Sequence, residues 1–244
     1  MLTANLFPLL VALTPATDDL NQGGGGLTIE CPPLVKFFCG ESTDPSNTGL
    51  PTVTGACDQN IQTTWTDHVV NRLCEAQRFE RIIYRTFTVT DGCGNSANCT
   101  QQIDVVKKVV SLDLHPRSCP NPFNRCQTSG RYPVALLGSP TFDVTRIDPG
   151  SLKLWLQNCS EGPAIPVRFA YQDVTGPYDG GEDCGCTTRG PDGFLDLVFK
   201  FERRDVRNEL NLNQFPRWSF VRLFVTGTTL DGCKFISSDC IRVQ

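Results

Sequence analysis

The chain has 244 residues, a formal net charge of −4 and thirteen cysteines. It is long enough for one large or two ordinary domains. Its mild acidity, with no basic stripe and no Lys/Arg run interleaved with aromatics, argues against nucleic acid as a partner, and no apolar run approaches the ~20 residues that span a bilayer.

The cysteines are spread along the whole chain. They would be idle thiols in a reducing compartment and are cross-links in an oxidising one. The chain is therefore expected outside the cell, secreted or at the cell surface. Zinc is the weaker reading. Zinc knuckles space their cysteines about two to four residues apart, often with histidine, and the two histidines, His68 and His115, sit near no such pair.

In chain order, residues 1–26 form an N-terminal segment with one apolar core, Leu6-Phe7-Pro8-Leu9-Leu10-Val11-Ala12-Leu13, and end on Gly23 to Gly26. Four glycines make a flexible joint. A signal peptide is one reading of the core; against it, no Lys or Arg precedes Lys36. The other reading is a strand that must be covered to be ordered, with Leu6, Phe7, Leu9, Leu10, Val11 and Leu13 as inter-subunit contacts. Its simplest cover is the sheet edge of a neighbouring copy, a donor-strand exchange. Head-to-tail contacts of that kind propagate into a homopolymer. Pro8 permits only edge or interrupted pairing at its position.

From Leu27 onward, short period-two runs bounded by Gly, Pro, Asn and Asp predict half-buried antiparallel strands. Arg81 to Thr90 is β-branched and aromatic, and stops at Asp91-Gly92. Val110, Leu112 and Leu114 alternate with polar residues, as do Leu152, Leu154 and Leu156. Leu195, Leu197, Phe199 and Phe201 are expected to share one face, and Val221, Leu223 and Val225 another. No three-turn helix is predicted; Glu80 to Tyr84 and Arg203 to Leu212 are the two places for a short one. The fold class is all-β: two consecutive disulfide-stabilised β-sandwich domains, residues 27–107 and 108–244, preceded by an extended N-terminal strand. With almost no linker at Lys107-Lys108, a stiff two-domain rod is expected.

The first domain resembles the hyalin-repeat (HYR) family, an immunoglobulin-like extracellular module. The resemblance rests on Ile29-Glu30-Cys31-Pro32-Pro33, Arg85-Thr86-Phe87-Thr88-Val89-Thr90-Asp91-Gly92-Cys93-Gly94-Asn95 and Asn98-Cys99-Thr100-Gln101-Gln102-Ile103-Asp104-Val105. It implies an adhesive or matrix context without catalysis. The chain departs from the shortest HYR form in carrying six cysteines here, Cys31, Cys39, Cys57, Cys74, Cys93 and Cys99. The second domain is similar to a β-rich module of secreted microbial surface proteins, on Asp113-Leu114-His115-Pro116, Pro120-Asn121-Pro122-Phe123-Asn124, Tyr132 to Gly138, Phe142-Asp143-Val144, Ile147-Asp148-Pro149 and Asp192 to Leu197.

Asp91-Gly92 and Gly94-Asn95 are expected to supply the positive-φ positions of a tight turn. Cys31 and Cys99, in the first and last strands, are placed to clamp the sandwich. The expected pairs are Cys31–Cys99, Cys39–Cys57 and Cys74–Cys93, out of about fifteen arrangements open to six cysteines. In the second domain Cys119–Cys126 and Cys233–Cys240 are expected, with Cys159 joined to Cys184 or Cys186. One thiol of seven remains, buried or bonded to another chain.

No Gly-x-Ser-x-Gly elbow, phosphate loop or motif-placed nucleophile accompanies either histidine, so no enzyme is expected. Asp173, Asp179, Glu182, Asp183, Asp192 and Asp196 cluster around a Gly-rich loop and are candidate Ca²⁺ ligands; the alternative is a solvated acidic loop. Asn98 and Asn158 head glycosylation sequons. The function expected is a structural subunit of an extracellular filament or surface layer. The alternative is a calcium-dependent adhesin that binds a glycan or protein ligand, with Trp155, Tyr171, Tyr178 and Trp218 as a sugar platform.

Overall fold

A computed structural model describes residues 26–176 and 184–244. The apolar segment Leu6 to Leu13 lies outside the described residues, as do Tyr178, Asp179, Glu182 and Asp183.

The first half holds β1 (Thr28–Glu30), β2 (Val35–Phe38), a one-turn helix α1 (Pro45–Thr48), β3 (Thr52–Thr54), β4 (Gln62–Asn71), β5 (Phe79–Thr90) and β6 (Ser96–Val106). The long meander β4-β5-β6 is antiparallel, and β2 adds in parallel on the far side of β6, giving the order β2-β6-β5-β4. Among the described residues the second layer is only the ribbon β1-β3, three residues to a strand. Glu80 to Tyr84 is therefore strand and not helix: Ile82, Ile83 and Tyr84 are strand-favouring residues and pair in register with Asp104, Ile103 and Gln102 of β6.

The apolar core of this half is small: Ile83, Ile103 and Val105, with Val35 and Phe37 packed on them. Polar groups finish it. Arg85, 2% exposed, donates to both Asp67 carboxylate oxygens at 2.8 and 2.7 Å, to the Thr43 carbonyl and to the Thr48 hydroxyl. Gln101 donates to the carbonyls of Pro33 and Thr48. Each buried donor here finds an acceptor, which is the condition for tolerating it.

The second half holds β7 (Lys108–Val109), β8 (Leu112–Leu114), β9 (Pro122–Phe123), β10 (Arg131–Leu136), β11 (Ile147–Leu156), β12 (Arg168–Gln172), β13 (Asp196–Glu202), α2 (Arg203–Glu209), β14 (Phe220–Thr229) and β15 (Lys234–Val243). Sheets β12-β13-β10-β8 and β11-β14-β15-β7 face each other across one apolar core. Leu197, Phe199 and Phe201 are buried in it as expected, whereas Leu195 precedes β13 and is 52% exposed. Arg203–Glu209 forms the short helix anticipated within Arg203 to Leu212.

Among the described residues no strand pairing joins the two halves. Two disulfides do: Cys39–Cys233 and Cys74–Cys159. The loop between β4 and β5 carries Cys74 and docks on the outer face of β11 and β14. Glu75 pairs with Lys153 at 3.0 Å, and Glu80 pairs with Lys234 at 3.5 Å. Trp155 donates from Nε1 to Thr226 Oγ1 at 2.9 Å in the same junction. Lys107, 4% exposed, donates to the carbonyls of Glu75 and Gln77. The junction is thus braced by side chains, with Lys107 alone separating β6 from β7.

The remaining bridges are Cys31–Cys99, Cys57–Cys93, Cys119–Cys186 and Cys184–Cys240, and Cys126 is free and exposed. Cys31–Cys99 is the one expected pair that forms. It ties the end of β1 to the core face of β6. The pairs Cys39–Cys57, Cys74–Cys93, Cys119–Cys126, Cys233–Cys240 and Cys159 with Cys184 or Cys186 do not form. The reason is spatial: Cys39 and Cys74 lie at the junction, where their nearest cysteines belong to the other half. Cys126 leaves the disulfide set and Cys186 enters it.

Candidate functional site

The turn between β5 and β6 is the first place where sequence motif and geometry meet. Asp91, 4% exposed, accepts from the backbone N–H groups of Cys57, Cys93 and Asn95 and from the Asn95 side chain. The Asn95 amide, followed by those backbone donors, holds its carboxyl below the usual range against the effect of burial. Only Gly94 takes positive φ, at 85°. Gly92 is required for a different reason: a Cβ there would sit 1.9 Å from Asp58 Oδ2. Cys57, Asp91 and Cys93 gather into one group of metal-ligating types among the described residues, but the two cysteines are bonded to each other and offer no thiolate.

The described members of the acidic cluster serve as backbone acceptors. Asp173 accepts from Asp192 N–H and Gly193 N–H, Asp192 from Phe194 N–H, and Asp196 from the N–H groups of Gly138, Val174 and Thr175. Asp173 and Asp192 are brought together; Asp196 lies at the end of β13, turned toward Gly138. Asn98 is exposed on β6.

Of the four aromatics expected to form a sugar platform, Tyr178 lies outside the described residues and the other three belong to different elements. Trp155 belongs to the junction, and Tyr171 lies on the edge strand β12 against Phe169, rings 6.2 Å apart. Trp218 stands elsewhere, in the turn that enters β14. Its backbone is left-handed, φ 72°, a region a bulky L-residue enters only when its surroundings impose it. The imposing contacts are the Trp218 N–H donated to Val243 O at 2.7 Å and the Val243 N–H returned to Ser219 O at 3.0 Å. The Ser219 hydroxyl closes the turn on Pro216 O at 2.7 Å.

This conformation presents a half-exposed indole beside two guanidinium groups. Arg217 lies 4.9 Å and Arg242 5.1 Å from the Trp218 ring centre, and Arg242 also lies 6.0 Å from Phe220. Trp218 is 50% and Phe220 53% exposed. Arg242 Nε is shielded from solvent and has no hydrogen-bond partner. Arginine is suited to such a ledge, since its planar, weakly hydrated fork stacks on rings and still donates outward. Trp218 is one of the aromatics the sequence offers for a sugar platform. Arg242 is not marked in the sequence, because only the register Phe220↔Arg242 between β14 and β15 brings it there.

A groove of about 670 Å³ lies at the junction around Cys39–Cys233, lined among others by Phe38, Lys108, Phe142, Arg146 and Asp231. Its charges are already engaged: Arg146 with Asp231 at 3.7 Å, and Lys108 with the Thr141 carbonyl and the Phe142 ring.

Among the described residues neither histidine side chain hydrogen-bonds a Ser, Thr or Cys. His68 is exposed on β4, and His115 packs on the Tyr132 ring at 5.5 Å. Burial keeps the His115 imidazole below its ordinary pKa. No helix among the described residues is long and apolar enough to cross a membrane. Six disulfides within one chain belong to an oxidising, extracellular-type compartment.

No protein-family model and no curated protein matches the chain. Among solved structures it is similar to Drosophila N-cadherin EC1-4, with 8% identity, TM-score 0.28, and coverage of 91% of this chain and 50% of that one. It is similar to the Bacteroides ovatus mixed-linkage glucan utilization locus protein SGBP-B in complex with a mixed-linkage heptasaccharide, with 10% identity, TM-score 0.22, and coverage of 80% and 39%. A Ca²⁺-stabilised adhesin with which an Antarctic bacterium binds ice matches at 9% identity and TM-score 0.23, covering 93% and 51%. The chain spans about half, or less, of each of these proteins. At these identities and TM-scores the likeness assigns neither a family nor a role to this chain.

Proposed function

We propose that this protein is a non-catalytic extracellular binding module, an adhesin-type unit whose second domain recognises a surface glycan or other anionic polymer through the Trp218 ledge. One observation carries the reading: a half-exposed tryptophan held in left-handed backbone and flanked by Arg217 and Arg242. Backbone strain at an exposed aromatic is retained where the side chain's presentation matters. The arginines point to a ligand bearing carboxylate or sulfate, which accepts a forked pair of hydrogen bonds. The disulfide-braced junction supports the same reading, since a rigid body holds a surface site in place at little entropic cost on binding.

The test is a glycan array probed with the wild-type protein and with Trp218→Ala. The wild type is expected to bind acidic polysaccharides in a salt-sensitive way, and Trp218→Ala to lose about tenfold or more in affinity, about 1.4 kcal/mol. Equal binding by both proteins, or binding confined to neutral glycans, would overturn the assignment. A second reading, a filament or surface-layer subunit, is favoured by the unpaired sheet edge in the first domain.

A further inference from the structure

The first domain is a sandwich with one layer nearly missing. Among the described residues its four-stranded sheet is covered only by the ribbon β1-β3 and the loop that carries α1. β4 is ten residues long, pairs on one side with β5, and has no strand on the other among the described residues. Through the register Trp65↔Phe87 and Val69↔Ile83, Trp65 and Val69 share the face on which Phe87 and Ile83 are buried. Yet Trp65 is 48% and Val69 46% exposed, against 0% and 4% for their partners. Core-facing residues left half-exposed on a long flat edge mark a place for another strand.

The chain contains a segment of matching size. Twenty-five residues precede Gly26, the first residue described. They include the eight-residue run Leu6 to Leu13, about 26 Å when extended, beside a β4 of about 33 Å. A second feature points to contact between copies: Cys126, the odd thiol, is exposed on a protein of an oxidising compartment.

We propose that the free edge of β4 is the acceptor for residues 6–13 of a second copy. Added beside β4, that segment would cover Trp65 and Val69 and satisfy the unpaired backbone groups of the edge. Pro8 would fall where its missing N–H faces away from β4. Each copy carries one donor and one acceptor, so the contact is head-to-tail and propagates. This assembly role is separate from the ledge on the second domain, and either could fail without the other.

Two full-length variants test it. Leu9→Asp with Leu10→Asp removes the donor and keeps the acceptor. Trp65→Glu with Val69→Glu removes the acceptor and keeps the donor; should that pair fail to fold by near-ultraviolet circular dichroism, Val69→Lys alone takes its place. Size-exclusion chromatography with light scattering should show wild-type polymers, each variant alone as a monomer, and an equimolar mixture of the two as a heterodimer. A monomeric wild type, a variant that polymerises as the wild type does, or a mixture that stays monomeric would overturn the proposal.

Discussion

At the scale of single residues, Asp113 departs furthest from what its sequence context predicts. The alternation Leu112-Asp113-Leu114 places an aspartate on the solvent side of a half-buried strand, yet Asp113 is fully buried. β8 lies at the edge of its sheet, and β15 packs alongside it; Asp239 of β15 reaches across to accept the Leu114 N–H at 2.8 Å. Neither Asp113 carboxylate oxygen lies within hydrogen-bonding distance of a partner. Burial first, then the Asp239 and Asp196 carboxylates, push its pKa up to about 7, and only the Arg117 backbone N–H pulls the other way. The folded chain therefore binds a proton that the unfolded chain has already released above about pH 4. Stability should fall as pH rises from about 4 to about 7 and level off above that, by up to about 1.4 kcal/mol per unit crossed. Asp113→Asn should raise the melting temperature at pH 8 and flatten that slope. Thermal unfolding at several pH values checks it; a variant less stable than wild type at pH 8 would contradict the assignment.

At the scale of elements, the strands were legible because period-two patterning is a local property, and β5, β11, β13 and β14 follow it closely. What local pattern does not carry is close approach between elements. Gly138, just past β10, is an example: a Cβ there would lie 2.1 Å from the Leu195 carbonyl oxygen, a backbone atom that cannot swing aside. Gly138→Ala should cost about 1–3 kcal/mol through that overlap. Gly190→Ala has open space and no left-handed backbone to strain, and should stay within about 0.5 kcal/mol of wild type. Urea denaturation of the two variants separates these outcomes. The ledge was half legible for the same reason. Trp218 stands out in the sequence as a candidate ligand-binding aromatic, whereas Arg242 joins it only through pairing across β14 and β15.

At the scale of the whole molecule, the reading of two modules with private disulfides does not hold. Among the described residues each half keeps its own sheets, on either side of the boundary expected at Lys107-Lys108. Its cysteines do not respect that boundary. Cys39–Cys233 closes a loop with a separation of 194 residues, and Cys74–Cys159 one of 85. In the chain-entropy model each restricts the unfolded state by about 5 kcal/mol, with overlap between them. Sequence could not assign them, because pairing depends on which surfaces meet, and a boundary without a linker says nothing of how the halves dock. The bridges, with Glu75–Lys153 and Glu80–Lys234, fasten the two halves to each other beyond the short connection at Lys107. They also make the body that presents the ledge at one end and the open β4 edge at the other half a single covalently locked unit. A disulfide map of the unreduced protein, by proteolysis and mass spectrometry, tests this most directly. Peptides linking Cys39 to Cys233 and Cys74 to Cys159, with Cys126 outside the intrachain set, are predicted. Peptides linking Cys39 to Cys57 and Cys74 to Cys93 would contradict the account.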